Sequence, residues 1–90
     1  MRVLERVITV ANHRGVHSRV ATGLAMIARE RGVLLQIIHG PHRIDCSSIL
    51  DVLSMALVRG TRLSVRVEGG GEETEQALAE VERLFSTPDE

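Results

Sequence analysis

Aromatic side chains are almost absent from this chain of 90 residues, in which Phe85 is the single aromatic residue. Small α+β modules that bind RNA stack its bases on aromatic residues of their sheets. Phe85 falls in the last helix-patterned segment, so the predicted sheet offers no surface for such stacking. A module that binds RNA or metabolites is therefore the least favoured functional class.

Lysine is also absent, and neither sign of charge is in excess. The 11 basic residues are all arginine, 12 residues are acidic, and the formal net charge is −1. This balance creates no strongly positive field, so nucleic acid is not expected as the main partner. Arginine is, however, the better bidentate partner for phosphate.

Cysteine is limited to Cys46, and long hydrophobic runs are missing. A single cysteine cannot form an internal disulfide, which suits a reducing cytoplasm. Arg2, Glu5 and Arg6 interrupt the N-terminal segment, so it lacks the form of a signal peptide. No segment is long enough to span a bilayer. We expect a cytoplasmic protein without membrane insertion.

The chain length and an apolar fraction of 43% suit one small domain over residues 1–90, with a frayed tail at 86–90. Hydrophobic periodicity predicts the order β-α-β-β-α-β-α. The predicted strands cover about 3–10, 33–39, 42–44 and 61–67, and the predicted helices cover 18–31, Ser48 to Gly60, and the segment after Gly71. The last strand alternates strictly, which favours an α+β open-faced sandwich: a four-stranded antiparallel sheet with three helices on one face.

Residues 12–19 (NHRGVHSR) end the first strand-patterned segment and open the first helix-patterned one. The first backbone N–H groups of a helix have no intrahelical partners and attract anions. An imidazole can act as a nucleophile and form a covalent adduct. His17 could therefore hold a phosphoryl group while Ser18, Arg19 and their amides stabilise its charge. Taken alone, a histidine at such a turn is more commonly a surface or capping residue.

This segment resembles the active-centre signature of HPr, the histidine-containing phosphocarrier family of the bacterial sugar phosphotransferase system. The family pattern is Asn, two residues, Gly, an aliphatic residue, His, a small residue, Arg, Pro, Ala. The matching residues here are Asn12, Gly15, Val16, His17, Ser18, Arg19, Val20 and Ala21. The similarity continues through 44–50, 59–61 and 71–85. The one departure is Val20, where the family has proline. Valine restores a backbone N–H donor and makes the turn less rigid, so we expect an altered transfer rate or partner preference.

The resemblance implies a phosphoryl relay and the same open-faced sandwich. His17 would accept the group from the phosphohistidine of enzyme I, which phosphoenolpyruvate charges, and pass it to a IIA protein. Arg19 and the Ser18 amide would stabilise the phosphate. Such a protein is not an enzyme in the turnover sense, because it leaves each encounter chemically changed. It is expected to need no cofactor and to be a monomer.

Ser48 and Asp51 have the spacing of a capping box, which predicts a helix N-cap at Ser48. By resemblance, Ser48 also takes the place of the family's regulatory serine, the substrate of HPr kinase/phosphorylase, with Ser47 as an alternative acceptor. An HPr-like regulatory protein acting mainly through Ser48 is thus the alternative function, although the presence of His17 argues against it.

Partner docking is expected on an apolar rim around His17. The residues that the resemblance assigns to this rim are Thr22, Met26, Ile49, Leu50 and Leu53. The last three could instead complete the core, and this choice stays open in the sequence.

A metal site is not expected. His13, His39 and His42 lie at turns, and no set of three or four ligands with tetrahedral precedent emerges with His17. Cys46 is expected to be a small packing residue rather than an activated thiol.

Overall fold

A four-stranded antiparallel sheet carries three helices on one face in the computed structural model, which describes residues 1–86. The elements are β1 (Arg2–Thr9), α1 (Ser18–Arg31), β2 (Leu34–His39), β3 (His42–Asp45), α2 (Ile49–Ser54), β4 (Arg62–Gly69) and α3 (Gly71–Ser86). The strand order is β1-β4-β2-β3, and each neighbouring pair is antiparallel. The predicted α+β open-faced sandwich is confirmed.

The core lies between the sheet and the helices. In β4, Leu63, Val65 and Val67 are buried while the residues between them face the open side of the sheet. On α3 the apolar sequence pattern predicts one stripe of Leu78, Val81, Leu84 and Phe85, of which Leu84 is half-buried and the other three are buried. Burying each such side chain stabilises the fold by roughly 1.5–3 kcal/mol. The single aromatic residue is therefore a core residue at the end of the last helix.

The first helix begins and ends where its sequence predicts. Gly32 closes it in the left-handed conformation, at φ 63°, and its N–H donates to carbonyls of the last turn. Arg31 links the end of α1 to α3, since its guanidinium contacts Glu80 at 3.0 Å and Glu73 at 3.2 Å. The hydrogen bond from Arg31 lowers the pKa of the Glu80 carboxyl. These contacts hold the C-terminal end of α1 against α3.

The second helix is shorter than predicted. It ends at Ser54 instead of continuing toward Gly60, and Ala56, which lies within the predicted helix, is exposed and has the left-handed φ of 50°. Residues 55–61 form a loop instead of a continued helix. The physical reason is tertiary, because this loop packs against the turn that precedes α1.

Ser86 is the last residue of α3, and the rest of the predicted frayed tail, residues 87–90, lies outside the described residues. Within residues 1–86, no helix is both long and apolar enough to cross a membrane.

Candidate functional site

His17 is the N-cap of α1. Its backbone is extended (φ −105°, ψ −173°), and its Nδ1 accepts a hydrogen bond from the backbone N–H of Arg19 at 3.3 Å. Because the donor is a backbone N–H, Nδ1 must carry the lone pair, and the neutral ring holds its proton on Nε2. The His17 carbonyl begins the helix by accepting from the Ala21 N–H at 2.9 Å. The unprotonated nitrogen Nδ1 thus faces the amides of the first turn.

The first turn of α1 has no acidic residue, unlike the other helices. Asp51 lies in the first turn of α2, and Glu72 and Glu73 lie in that of α3. A carboxylate at this position offsets the positive end of the helix dipole. Since none does so in α1, the amides around His17 remain electrostatically suited to an anion. Ser18 and Arg19, the first two helical residues, are exposed.

A glycine turn sets the position of His17. Gly15 has a φ of 69°, and the N–H of Val16 donates to the carbonyl of Leu57 at 2.8 Å. A Cβ placed on Gly15 would lie 2.3 Å from that same carbonyl oxygen. Both the conformation and the close approach require glycine here. The loop after α2 therefore packs directly against the turn that precedes His17.

The strand end before this turn is tied to α3. Asn12 is buried, and its Nδ2 donates to the carbonyl of Leu84 at 3.0 Å. The N–H of Ala11 donates to the carbonyl of Phe85 at 3.0 Å. Asn12 is thus a positioning residue, which the spacing of the motif could not reveal because its partner is 72 residues away in the chain.

His13 and Val58 complete the surroundings of the turn. The Nδ1 of His13 is 3.2 Å from the guanidinium of Arg59, which gives this imidazole a second link to the loop after α2. Val58 is 64% exposed, and its Cα lies beside Gly15. The position of Val58 beside this turn could not be predicted, because the sequence around a single valine in a loop does not show which distant residues it contacts.

Comparisons with known proteins match this arrangement over nearly the whole chain. The family model for the HPr component phosphorylation site of the phosphotransferase system matches residues 4–87. The phosphocarrier protein NPr of Shewanella violacea is 33% identical over 78 residues, which cover 87% of this chain and 84% of that protein. The phosphocarrier protein HPr of Treponema pallidum is 32% identical over 80 residues, covering 89% of each.

The chain belongs to the HPr family. It therefore has a phosphocarrier role in the phosphotransferase system. The crystal structure of HPr from Bacillus anthracis shares its fold, with a TM-score of 0.83 at 19% identity over 94% of this chain and 99% of that one. HPr from Thermoanaerobacter tengcongensis gives a TM-score of 0.81 at 21% identity, over 91% and 90%.

The five residues assigned to the HPr docking rim differ in exposure. Thr22 and Met26 are exposed and four residues apart on α1, and Leu50 of α2 is 78% exposed. Ile49 and Leu53 are half-buried and pack against the core. The helices α1 and α2 contact each other. Leu50 is thus a surface residue, while Ile49 and Leu53 contribute to the core as well as to the surface.

The two candidate regulatory serines have different partners. Ser48 is half-buried at the N-cap of α2, and its Oγ accepts from the N–H of Asp51 at 3.4 Å. Ser47 is exposed, and both its N–H and its Oγ donate to Oδ1 of Asp45, at 2.9 and 2.8 Å. A phosphate on Ser47 would lie beside the Asp45 carboxylate, whereas a phosphate on Ser48 would lie at the start of α2, whose first turn contains Asp51.

Two further residues have structural roles in this HPr domain. Val20, where the family pattern has proline, is buried in the first turn of α1. Cys46 is fully buried, and desolvation, with a smaller effect from the charge of Asp45, raises the pKa of its thiol to about 12. At neutral pH this thiol stays protonated, so Cys46 is a packing residue and not a nucleophile.

Proposed function

We propose that His17 is the phosphoryl acceptor of this HPr-family protein. The observation that carries the proposal is the orientation of Nδ1 toward the N-terminus of α1, in a first turn without an acidic residue. A phosphoryl group bound to Nδ1 would have its oxygens next to backbone N–H groups that lack intrahelical partners. Covalent chemistry and anion stabilisation would then occur at one point.

In the transfer step, the lone pair of Nδ1 attacks phosphorus, and the P–N bond to the donor imidazole breaks. The proton on Nε2 of His17 is released as the donor imidazole takes one up, so charge is balanced. The N–H of Arg19, which donates to Nδ1 in the free protein, then donates to a phosphoryl oxygen. Hydrogen bonds to an ionised oxygen are about twice as strong as neutral ones. The Arg19 guanidinium adds positive charge during both acceptance and release.

The donor in this proposal is the phosphohistidine of enzyme I, and the acceptor is a histidine of a IIA protein. Both encounters use the same surface, because both must place an imidazole against Nδ1 of His17. Exposed Met and Leu side chains adapt to several partners. The docking surface comprises Thr22, Met26, Ile49, Leu50 and Leu53. Val58 is a sixth member, because it lies beside Gly15.

The test is incubation with phosphoenolpyruvate and enzyme I, followed by intact-mass measurement. One phosphoryl group should be added, and the adduct should be lost in acid and survive alkali, as a phosphoramidate does. His17→Ala should abolish the addition. The matched controls His13→Ala, His39→Ala and His42→Ala should retain it. Labelling that persists in His17→Ala would show that the acceptor is another residue.

Regulation by phosphorylation of Ser48 is a second proposal. Two observations favour it: the Oγ of Ser48 contacts the first turn of α2, and Leu50, two residues further along the chain, is exposed. A phosphate on Ser48 would be tolerated at this helix start but would place a dianion beside the docking surface. Partners would then have to desolvate that charge in order to reach His17.

A further inference from the structure

The hairpin between β2 and β3 brings two histidines together. His39 ends β2, His42 begins β3, and the two are directly paired across a turn formed by Gly40 and Pro41. Directly opposed residues of an antiparallel pair project from the same face, with Cβ atoms about 4.5–5.5 Å apart. Two imidazoles at this separation can both bind one metal ion, at typical metal–nitrogen distances of about 2.0–2.1 Å.

A third donor comes from the helix that follows. A cavity of about 230 Å³ lies between the hairpin and the C-terminal end of α2, and its lining residues are His39, His42, Ile44, Ser54 and Met55. Both histidines are exposed, and Met55, the C-cap residue of α2, is half-buried. The cavity is therefore lined by two exposed histidines and one half-buried methionine, whose side chains offer two imidazoles and one thioether as possible metal donors.

The donor set discriminates among metal ions. Within residues 1–86 no group of three His, Cys, Asp or Glu residues could hold a metal ion, so a closed zinc site is not formed, and the cavity has no carboxylate for magnesium or calcium. Imidazole and thioether are both good copper ligands, and thioether sulfur favours copper(I). We propose that His39, His42 and Met55 bind one copper(I) ion.

Copper at this site would connect the outer hairpin of the sheet to α2. That helix carries Leu50 of the proposed docking surface and begins at Ser48. The cavity is on the opposite end of α2 from Ser48, so copper binding and phosphoryl transfer use different side chains. The copper site does not depend on the proposed role of His17.

The test is an anaerobic titration of the full chain with copper(I) against a chromophoric copper(I) chelator. One ion should bind per chain. His39→Ala and His42→Ala should each weaken binding by on the order of tenfold or more, because each removes one arm of a chelate. Met55→Leu, which conserves volume, should weaken copper(I) binding but leave nickel(II) binding by the two imidazoles unchanged.

The controls are His13→Ala, which removes an imidazole elsewhere, and Cys46→Ser, which removes the single thiol. Both should leave the affinity for copper(I) unchanged. Failure of the wild-type chain to compete with the chelator, or unchanged affinity in His39→Ala and His42→Ala, would overturn the site. Unchanged copper(I) affinity in Met55→Leu would overturn the role of the thioether and with it the selection of copper(I). Circular dichroism of each variant verifies that the fold is intact.

Discussion

The N-cap side chains of α1 and α2 both accept a hydrogen bond from a backbone N–H of the first turn, but the two first turns differ in charge. In α1, His17 Nδ1 accepts from the Arg19 N–H at 3.3 Å, and in α2, Ser48 Oγ accepts from the Asp51 N–H at 3.4 Å. The first turn of α2 contains the carboxylate of Asp51, whereas that of α1 contains no acid. One helix start thus has its own negative charge, and the other does not.

In the proposed function, this difference separates a cap that stabilises its helix from a cap that binds a ligand. Serine is among the preferred N-cap residues, and an acid in the first turn adds further helix stability. Histidine is not a preferred cap, and α1 obtains its stability elsewhere, from its left-handed Gly32 cap and from the contacts of Arg31 with α3. The α1 start thus lacks both a preferred N-cap residue and an acid in its first turn, which supports the proposed binding of an anion there.

The largest expected loss of stability comes from a substitution in the turn that positions the start of α1. Gly15→Ala combines a left-handed φ with the 2.3 Å approach to the Leu57 carbonyl, so we expect a loss of roughly 2–5 kcal/mol in the free energy of unfolding. Gly32→Ala is the matched control, because its φ is 63° and no atom lies within 4 Å of the added Cβ. It should cost only about 1–2 kcal/mol. Equal losses in denaturant unfolding would contradict the supporting contact.

Arg19→Ala tests the charge at the α1 start. The loss of one charge-assisted interaction with phosphate corresponds to about 1.5–3 kcal/mol, or on the order of tenfold to a hundredfold in transfer rate. The measurement is the single-turnover rate of phosphorylation by enzyme I. Arg62→Ala removes an exposed arginine at the start of β4 and should leave the rate unchanged. Equal rates in both variants would remove Arg19 from the site.

Ser48 tests the start of α2 by two substitutions. Ser48→Ala should lower the free energy of unfolding by about 1 kcal/mol, because the cap is lost, and leave phosphorylation of His17 nearly normal. Ser48→Asp keeps a competent cap, so stability should barely change, while the charge beside Leu50 should slow phosphorylation. If both variants accept phosphate at the wild-type rate, Ser48 is only a cap and regulation through it is wrong.

The smallest effects should come from exchanging the charges of the two helix starts. Ser18→Asp gives α1 an acid in its first turn, so stability should rise by about 0.3–1 kcal/mol while phosphoryl acceptance falls. Asp51→Asn should lower stability by a similar amount and leave acceptance unchanged. Added salt should reduce both stability changes. A gain of phosphoryl acceptance in Ser18→Asp would break the proposed contrast between the helices.

The parts of the fold that depend on local sequence were predictable, and those that depend on tertiary contacts were not. Periodicity and Gly32 predicted α1 at its observed bounds, and the alternation in β4 predicted a sheet with one covered face. The early end of α2 was not predictable, because the left-handed Ala56 belongs to a loop held by the Val16–Leu57 contact.

The same dependence on tertiary contacts limited what could be predicted for the His17 site and for the proposed copper site. The motif around His17 predicted a helix start suited to phosphate, since the cap contact between His17 and Arg19 is local in the chain. The position of Val58 beside Gly15 depends on chain segments that meet only in the folded protein, and so does the cavity that Met55 shares with His39 and His42.

The most direct test of His17 as phosphoryl acceptor is nitrogen-15 NMR of histidine-labelled protein before and after phosphorylation by enzyme I. We expect phosphorus coupling at Nδ1 of His17 alone. The backbone N–H resonance of Arg19 should shift as its acceptor changes from imidazole nitrogen to phosphoryl oxygen. Coupling at another histidine, or phosphorylation without coupling to any histidine nitrogen, would contradict the assignment.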